Sequence, residues 1–327
     1  MIIVLNITLI IIGFVMLIKG AGFLVDGASS LAKRFNVSDI VIGLTVVAMG
    51  TSAPELVVNV MSGLIITTEG THDVVFGNVI GSNIFNLYLI LGFSAIIYPL
   101  TVQRNALWRE IPFSLLISII FFILANDVLF FQASQNSLDY RDALLLILLF
   151  GLFMIYIFLN TKRNPDTTPL EEIPLFGNSK TTLLIVGGIT GLVFGGQLIV
   201  ENAVIIAKYF SVSEKLIGLT ILSAGTSLPE LATSTVAAFK KKSDLAIGNV
   251  IGSNIFNILL VLGMTTLIHA PLGYNAQLNI DLYICMGGTF LLFFFMYSFD
   301  KYKLDRIEGV FYLLGFVAYF VFILYRQ

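Results

Sequence analysis

Apolar stretches long enough to cross a lipid bilayer recur along the whole chain, and they constrain its fold more than any other feature. Residues 143–159, for example, read ALLLILLFGLFMIYIFL, without a charged side chain. A helix of about 20 such residues spans the hydrocarbon core, where every backbone polar group must be hydrogen-bonded within the protein. Ten spans are predicted, at 2–22, 38–65, 74–98, 110–126, 143–160, 181–207, 213–239, 244–268, 280–298 and 307–325.

The composition agrees with a membrane protein and excludes several other classes. Of the 327 residues, 57% are hydrophobic and 12% are charged, whereas a soluble domain carries about 25% charged residues. A net charge of −2 with dispersed basic residues gives no surface for nucleic acid. One cysteine and two histidines exclude a disulfide framework, a thiolate metal site and an imidazole cluster. We expect no bound cofactor and no obligatory protein partner.

Two segments of the chain occur twice, almost unchanged. Residues 43–56, GLTVVAMGTSAPEL, match residues 218–231, GLTILSAGTSLPEL, at 9 of 14 positions. Residues 77–92, GNVIGSNIFNLYLILG, match residues 248–263, GNVIGSNIFNILLVLG, at 13 of 16 positions. Because each half contains an odd number of predicted spans, the second copy would enter the membrane from the opposite side. Two inverted copies with a binding site at their interface are typical of secondary transporters.

The expected architecture is therefore an all-α polytopic membrane protein, with ten transmembrane helices arranged as two inverted five-helix repeats. We place the first repeat at 1–160, a cytoplasmic linker rich in proline and charge at 161–180, and the inverted second repeat at 181–327. Lys and Arg number 13 in the odd-numbered connections, against 4 in the even-numbered ones and the C-terminus. Because cytoplasmic connections carry the excess of basic residues, both termini are predicted to be extracellular in the plasma membrane.

Two glutamates lie deep within predicted helices, at matching positions of the repeat. A charged side chain at the bilayer centre costs about 2.5–3.5 kcal/mol. Neither repeated segment contains a Lys or Arg that could pair with Glu55 or Glu230, so the most economical partner is a bound, transported cation. Pro54 and Pro229 directly precede these glutamates and predict a kink in each helix, because proline lacks a backbone donor.

Hydroxyl, amide and carbonyl oxygens accompany the two glutamates. In each half a threonine shares a helix face with the glutamate four residues later: Thr51 with Glu55, and Thr226 with Glu230. The kinks would free backbone carbonyls in the turns at 48–51 and 223–226. On the third and eighth spans, polar side chains share one face in pairs: Ser82 with Asn86, and Ser253 with Asn257. An all-oxygen set suits a hard cation such as calcium, which takes about 6–8 oxygens, whereas transition metals prefer imidazole or thiolate.

The paired GTS-x-PEL and GN-x-x-GSN-x-x-N segments resemble the two alpha repeats of sodium/calcium exchangers, in the cation/calcium antiporter superfamily. The short connection at 161–180 implies a compact, prokaryotic-type member without the large regulatory domain of animal exchangers. The resemblance implies that Glu55 and Glu230 serve both calcium and sodium. The implied sodium site on one side comprises Thr51, Ser52, Ser82 and the Ala48 carbonyl. The matching site comprises Thr226, Ser227, Ser253 and the Ser223 carbonyl, with Asn86 and Asn257 flanking the centre.

Asn257 departs from the pattern of many relatives, which carry Asp at this position. Two carboxylates neutralise one calcium ion or two sodium ions. A third sodium would rely on neutral oxygens, which are weaker ligands for a buried charge. The exchange stoichiometry therefore stays open, and potassium co-transport, which is associated with that Asp, is not expected.

The sequence thus predicts a secondary antiporter, not an enzyme, that exchanges sodium for calcium by alternating access. The expected partners are calcium ions, sodium ions and the lipid bilayer. The first and sixth helices would shift against the remaining bundle to move the opening from one side to the other.

Other functions compete with this interpretation. In a proton/calcium antiporter the same glutamates would bind protons, but the hydroxyl-rich GTS-x-PE segments favour sodium. A passive channel needs sites that release ions quickly, whereas a deep pair of glutamates indicates occlusion. An intramembrane hydrolase needs a nucleophile with a nearby base, and His269 lies at the end of a predicted span.

Overall fold

Helices make up almost all of the structure, a computed structural model that describes residues 2–64, 72–104, 106–163, 175–210, 223–298 and 302–326. In chain order they are α1 (Ile2–Phe35), α2 (Asp39–Thr51), α3 (Ala53–Ser62), α4 (Asp73–Ile97), α5 (Leu107–Ala125), α6 (Asp127–Phe131), α7 (Tyr140–Arg163), α8 (Asn178–Tyr209), α9 (Ser223–Thr226), α10 (Leu228–Phe239), α11 (Ser243–His269), α12 (Asn279–Ser298) and α13 (Arg306–Arg326). Within or beside them lie π-helical stretches at Gly43–Val47, Phe85–Leu91, Ala106–Glu110 and Asn257–Leu262, and a 3₁₀ turn at Ala276–Leu278.

The long helices confirm a membrane protein with many spans. Among the described residues, eight helices are long and apolar enough to cross a bilayer, and α2 with α3 could form a ninth, bent span. The predicted span at 213–239 is described only from Ser223 onwards, and most of the linker predicted at 161–180 lies outside the described residues. The count of ten helices in two inverted repeats, and the boundaries of those repeats, therefore stay predictions.

Two helices of matching sequence form the centre of the bundle. In the most apolar stretch of α11, 94% of the residues are buried, and in that of α4, 67% are. In the corresponding stretches of α1 and α13, only 22% and 11% of the residues are buried. Because the outer helices are as apolar as the central ones, their exposed faces suit contact with lipid. Most side chains of α11, and about two thirds of those in the apolar stretch of α4, are therefore enclosed by protein.

Glycines allow α2 to approach α11 so closely that the two backbones are in contact. A Cβ atom added to Gly248 would lie 2.7 Å from the Ile40 carbonyl oxygen, and one added to Gly43 would lie 2.9 Å from the Leu245 carbonyl oxygen. Small residues permit this kind of close packing between membrane helices. The contact holds the break between α2 and α3 against the central helix.

The two longest helices, α1 and α8, also pack backbone against backbone. A Cβ atom added to Gly20 would lie 2.8 Å from the Gly188 carbonyl oxygen, and one added to Gly13 would lie 2.9 Å from that of Gly195. The helices therefore meet along faces without protruding side chains at these positions.

Two short antiparallel ribbons join the ends of the helices. Strand β1 (Leu100–Thr101) pairs with β4 (Lys303–Leu304), and β2 (Ser137–Leu138) pairs with β3 (Leu272–Gly273). Each ribbon connects a segment of the first half of the chain with a segment of the second half. The two halves are thus joined at their rims as well as at their centre.

Candidate ion-binding site

The helix that carries each copy of the repeated glutamate motif is broken one turn before the glutamate. Ser52 separates α2 from α3 with φ −85° and ψ 6°, and the two helices are bent by 45°. Ser227 separates α9 from α10 with nearly the same angles, φ −89° and ψ 6°. Pro54 and Pro229 lie in the first turn of the helix that follows. The kinks predicted from the prolines are confirmed at both positions.

The breaks place both glutamates in the first turn of a helix, deep inside the protein. Glu55 is 1% exposed and Glu230 is fully buried. The first turn of a helix has unsatisfied N–H groups and a partial positive charge. This environment stabilises a carboxylate that is removed from water.

Serines from opposite halves of the chain hold the two carboxylates together. The Ser52 hydroxyl donates to Glu230 Oε1 at 2.9 Å, and the Ser227 hydroxyl donates to Glu55 Oε1 at 3.4 Å. The Ser253 hydroxyl of α11 also donates to Glu230 Oε1, at 3.5 Å. Each broken helix therefore contacts the glutamate of the other, and α11 closes one side of the site.

Five buried oxygen atoms at the predicted site residues have no hydrogen-bond partner among the described residues. They are Glu55 Oε2, Glu230 Oε2, Ser82 Oγ, Asn86 Oδ1 and Asn257 Oδ1. A buried polar atom without a partner costs about 1–3 kcal/mol, and a charged one costs more. Because four of the five can only accept, a bound cation would satisfy them.

Thr51 reaches the same site through an asparagine that the sequence analysis did not single out. Its hydroxyl donates to Asn249 Oδ1 at 3.2 Å. Asn249 in turn donates to the Ser234 hydroxyl at 2.9 Å and to the Glu230 carbonyl at 3.4 Å. The signal for Asn249 was present, since it is the first asparagine of the repeated GN-x-x-GSN segment.

The Ala48 carbonyl differs from the prediction that the kink would free it. It accepts the Ser52 N–H at 2.9 Å and the Thr51 hydroxyl at 3.3 Å. The physical reason is the helical register, because Pro54 removes the donor to the carbonyl of Gly50 and not the donor to that of Ala48.

The predicted residues of the second half are described less completely. Thr226 ends α9 and is partly buried, while Ser223 begins α9 with its side chain outside the described residues. Of the predicted site residues, hydrogen bonds between side chains directly join Glu55, Glu230, Ser52, Ser227 and Ser253.

Two further asparagines bind the predicted pair Asn86 and Asn257. Asn86 Nδ2 donates to Asn254 Oδ1 at 2.9 Å, and Asn257 Nδ2 donates to Asn83 Oδ1 at 3.0 Å. The i, i+4 spacing that pairs Ser82 with Asn86 and Ser253 with Asn257 does not select Asn83 or Asn254, whose partners lie on the opposite helix. All four asparagines are buried, and they cross-link α4 to α11.

The chemistry of this site is that of oxygen ligands with two negative charges. Among the described residues, no group of three or more His, Cys, Asp or Glu side chains could hold a metal ion. The remaining ligands for an ion beside the two glutamates are therefore neutral hydroxyl, amide and carbonyl oxygens. Such a set suits hard cations.

Comparison with known proteins identifies the family. The model of the family described as "Sodium/calcium exchanger protein" matches residues 5–159 and 180–325. The chain belongs to the sodium/calcium exchanger family. This is a family of membrane transporters and not of catalytic enzymes, and cation/calcium antiport is the activity that its members share.

Individual relatives of this exchanger cover nearly its whole length. Sodium/calcium exchanger MaX1 of Methanosarcina acetivorans is 30% identical over 361 residues, which cover 98% of this chain and 99% of that protein. Inner membrane protein YrbG of Escherichia coli is 35% identical over 288 residues, covering 84% and 85%. The solved structure of the sodium-calcium exchanger NCX_Mj, soaked with zero Na⁺ and Ca²⁺, matches with a TM-score of 0.80 at 31% identity, covering 97% and 98%. The predicted resemblance to a compact prokaryotic exchanger is confirmed.

Proposed function

We propose that this exchanger moves calcium across the cell membrane in exchange for sodium, through the oxygen site centred on Glu55 and Glu230. One observation carries the proposal. Both glutamates are buried, and each has one carboxylate oxygen held by a serine of the opposite half and one oxygen without a partner among the described residues. A cation between the two carboxylates supplies the missing contacts.

The charge of the site supports exchange over simple conduction. Two carboxylates balance either one calcium ion or two sodium ions, so the two cargoes compete for the same negative charges. Without an ion, two buried carboxylates are left uncompensated, which is strongly unfavourable. Returning empty is therefore slow, and movement of calcium in one direction requires movement of sodium in the other.

The contacts of α8 support a sliding mechanism for access. Gly50 of α2 lies against Ile189, and Gly225 of α9 lies against Val200, both on α8. One long helix therefore contacts the segments before both breaks. In our proposal α1 and α8, packed on each other through their glycines, shift against the remaining bundle and expose the site first to one side and then to the other.

The proposed orientation follows from the basic residues. The odd-numbered connections carry most of the Lys and Arg residues, and such connections remain in the cytoplasm. We propose that the protein lies in the cell membrane with both termini outside. An inward sodium gradient would drive calcium out of the cytoplasm, and a reversed gradient would drive it in.

A flux measurement in vesicles tests the choice of sodium as the counter-ion. Purified protein is reconstituted into vesicles that are loaded with sodium and diluted into sodium-free buffer containing radioactive calcium, at equal pH on both sides. We expect calcium uptake that disappears when the sodium concentrations are equal. Uptake that follows a pH gradient at equal sodium would contradict the proposal and support proton/calcium exchange.

A further inference from the structure

We infer that Asn83 and Asn254 are positioning residues, which orient the amides of Asn86 and Asn257 so that their oxygens, and not their nitrogens, face the ion site. The inference rests on the proposed function, because it assigns a role at the same site. Shape alone does not determine which way an asparagine amide is turned, because its oxygen and its nitrogen are nearly the same size.

The orientation begins at two backbone carbonyls. Asn83 Nδ2 donates to the Asn254 carbonyl at 3.3 Å, and Asn254 Nδ2 donates to the Asn83 carbonyl at 3.4 Å. A backbone carbonyl only accepts hydrogen bonds, so each amide has to turn its nitrogen towards it. The side-chain orientation of Asn83 and Asn254 is thereby fixed.

The orientation of the Asn83 and Asn254 amides determines the orientation of the Asn257 and Asn86 amides. Because their nitrogens donate to these carbonyls, their Oδ1 atoms are turned towards the other two asparagines. Asn83 Oδ1 accepts from Asn257 Nδ2 at 3.0 Å, and Asn254 Oδ1 accepts from Asn86 Nδ2 at 2.9 Å. An amide oxygen also only accepts, so Asn257 and Asn86 must donate from their nitrogens. Their own oxygens are left on the other side of each amide, buried and without a hydrogen-bond partner in the described part of the chain.

The backbone explains why these four side chains meet. Helix α4 becomes π-helical at Phe85–Leu91, and α11 becomes π-helical at Asn257–Leu262. The first change begins two residues after Asn83, and the second begins three residues after Asn254. A π-helical turn contains an extra residue and rotates the positions that follow it. Asn83 of α4 thus contacts Asn257 of α11, and Asn254 of α11 contacts Asn86 of α4.

The electrostatic consequence is a site that accepts cations and repels anions. If either amide were reversed, an NH₂ group would replace an oxygen that can bind a cation, and two amide oxygens would face each other between α4 and α11. All four asparagines are at most 2% exposed, so water cannot compensate for a reversed amide. Positioning groups around a metal site typically change its affinity by about 10- to 100-fold.

A double-mutant cycle tests the inference in the purified full-length exchanger. Asn83→Ala and Asn257→Ala are made singly and together, and calcium binding is measured by titration calorimetry in detergent. Alone, Asn83→Ala should weaken calcium binding about 10-fold or more. In the Asn257→Ala background it should cause little further loss, because the residue through which it acts is gone.

The control is another pair of hydrogen-bonded asparagines, Asn126 between α5 and α6 and the half-buried Asn279 of α12. Asn126 is 2% exposed and donates to Asn279 Oδ1 at 3.0 Å, at the end of α5. Asn126→Ala should lower the melting temperature and leave the calcium affinity unchanged. This control separates loss of packing from loss of ligand orientation.

The mirror cycle, Asn254→Ala with Asn86→Ala, repeats the test on the other half if one variant does not fold. Equal, additive losses in both cycles, or a lower melting temperature with unchanged calcium affinity, would overturn the positioning role. A wild-type protein that binds calcium but does not exchange it for sodium would contradict the proposed function alone. The two failures are therefore distinguishable.

Discussion

The hydroxyl of Ser52 donates a 2.9 Å hydrogen bond to Glu230, a residue 178 positions later in the chain. Its counterpart, Ser227, donates to Glu55 at 3.4 Å. Each half of the exchanger thus stabilises the buried acid of the other half. A change in the position of either broken helix alters the surroundings of both carboxylates, which is what alternating access at a shared site requires.

Removing either carboxylate should abolish exchange. Glu55→Gln or Glu230→Gln takes one of two negative charges from the site, so we expect calcium uptake driven by sodium to fall about 100-fold or more. The measurement is the vesicle flux assay, with membrane insertion verified for each variant. Glu201→Gln serves as the control, because Glu201 is an exposed glutamate of α8 that accepts from Gln197 at 2.8 Å. Wild-type uptake in either site variant would refute the role of that glutamate.

Replacing Ser52 by alanine should weaken calcium binding more than replacing Ser227 by alanine. Hydrogen bonds to charged groups contribute about 1.5–3 kcal/mol, which corresponds to about 10- to 100-fold in affinity. Ser52→Ala should therefore weaken calcium binding by this factor, and Ser227→Ala by less, because its bond is longer, 3.4 Å against 2.9 Å. Titration calorimetry measures both affinities. Ser52→Thr, which keeps the hydroxyl, is expected to recover most of the loss; failure of both alanine variants to change binding would contradict the assignment.

The glycine contact between α1 and α8 should control the rate of transport. In Gly20→Ala the new Cβ would lie 2.8 Å from the Gly188 carbonyl oxygen and 2.9 Å from the Leu192 nitrogen, so the helices must separate. We expect a lower maximal flux with little change in the calcium concentration for half-maximal flux. Gly22→Ala is the matched control, since nothing lies within 4 Å of its added Cβ. Equal flux in the two variants would exclude a role for this contact in transport.

Asn257→Asp should change the ion dependence of exchange without loss of calcium binding. The variant adds a third carboxylate to the site, which can balance one further monovalent cation. It also removes the donor to Asn83 Oδ1, now at 3.0 Å. Calcium uptake measured against sodium concentration at several pH values should show a shifted sodium dependence or a new pH dependence. An unaltered profile would mean that residue 257 does not contact the ion path.

Stability should depend on pH through His72, which precedes α4. Burial lowers the pKa of the His72 imidazole below its usual 6.5, and its Nδ1 accepts the Gly273 N–H at 3.0 Å. Because the folded protein favours the neutral ring, this contribution to stability is complete above the usual pKa and is lost as the pH falls towards the lowered value. Melting temperatures across this range should decrease with falling pH in the wild type and less so in His72→Asn. Parallel curves would contradict this role.

Much of this arrangement is encoded visibly in the sequence. The two prolines predicted the breaks at Ser52 and Ser227, and the repeated glutamates predicted the buried acids. These features are local, since proline acts on its own helix and a glutamate in an apolar stretch is conspicuous wherever it lies. Membrane insertion and family membership follow from the same local signals.

The contacts between helices were not predictable in the same way. Asn249, Asn83 and Asn254 act across helices, so their roles depend on which elements cross and at what height. The π-helical turn at Phe85–Leu91 also changes the periodicity from which helix faces are read. Spacing within one helix pairs Ser82 with Asn86, whereas the contact of Asn83 with Asn257 lies between two helices and leaves no mark in the spacing.

Competition between the two ions shows whether calcium and sodium share the carboxylates of Glu55 and Glu230. Calcium binding to the purified protein is titrated at increasing sodium concentrations, with choline replacing sodium to keep the ionic strength constant. Our account predicts that sodium weakens calcium binding in the wild type and that neither ion binds when Glu55 and Glu230 are both replaced by Gln. Calcium binding that ignores sodium, or that survives the double replacement, would contradict it.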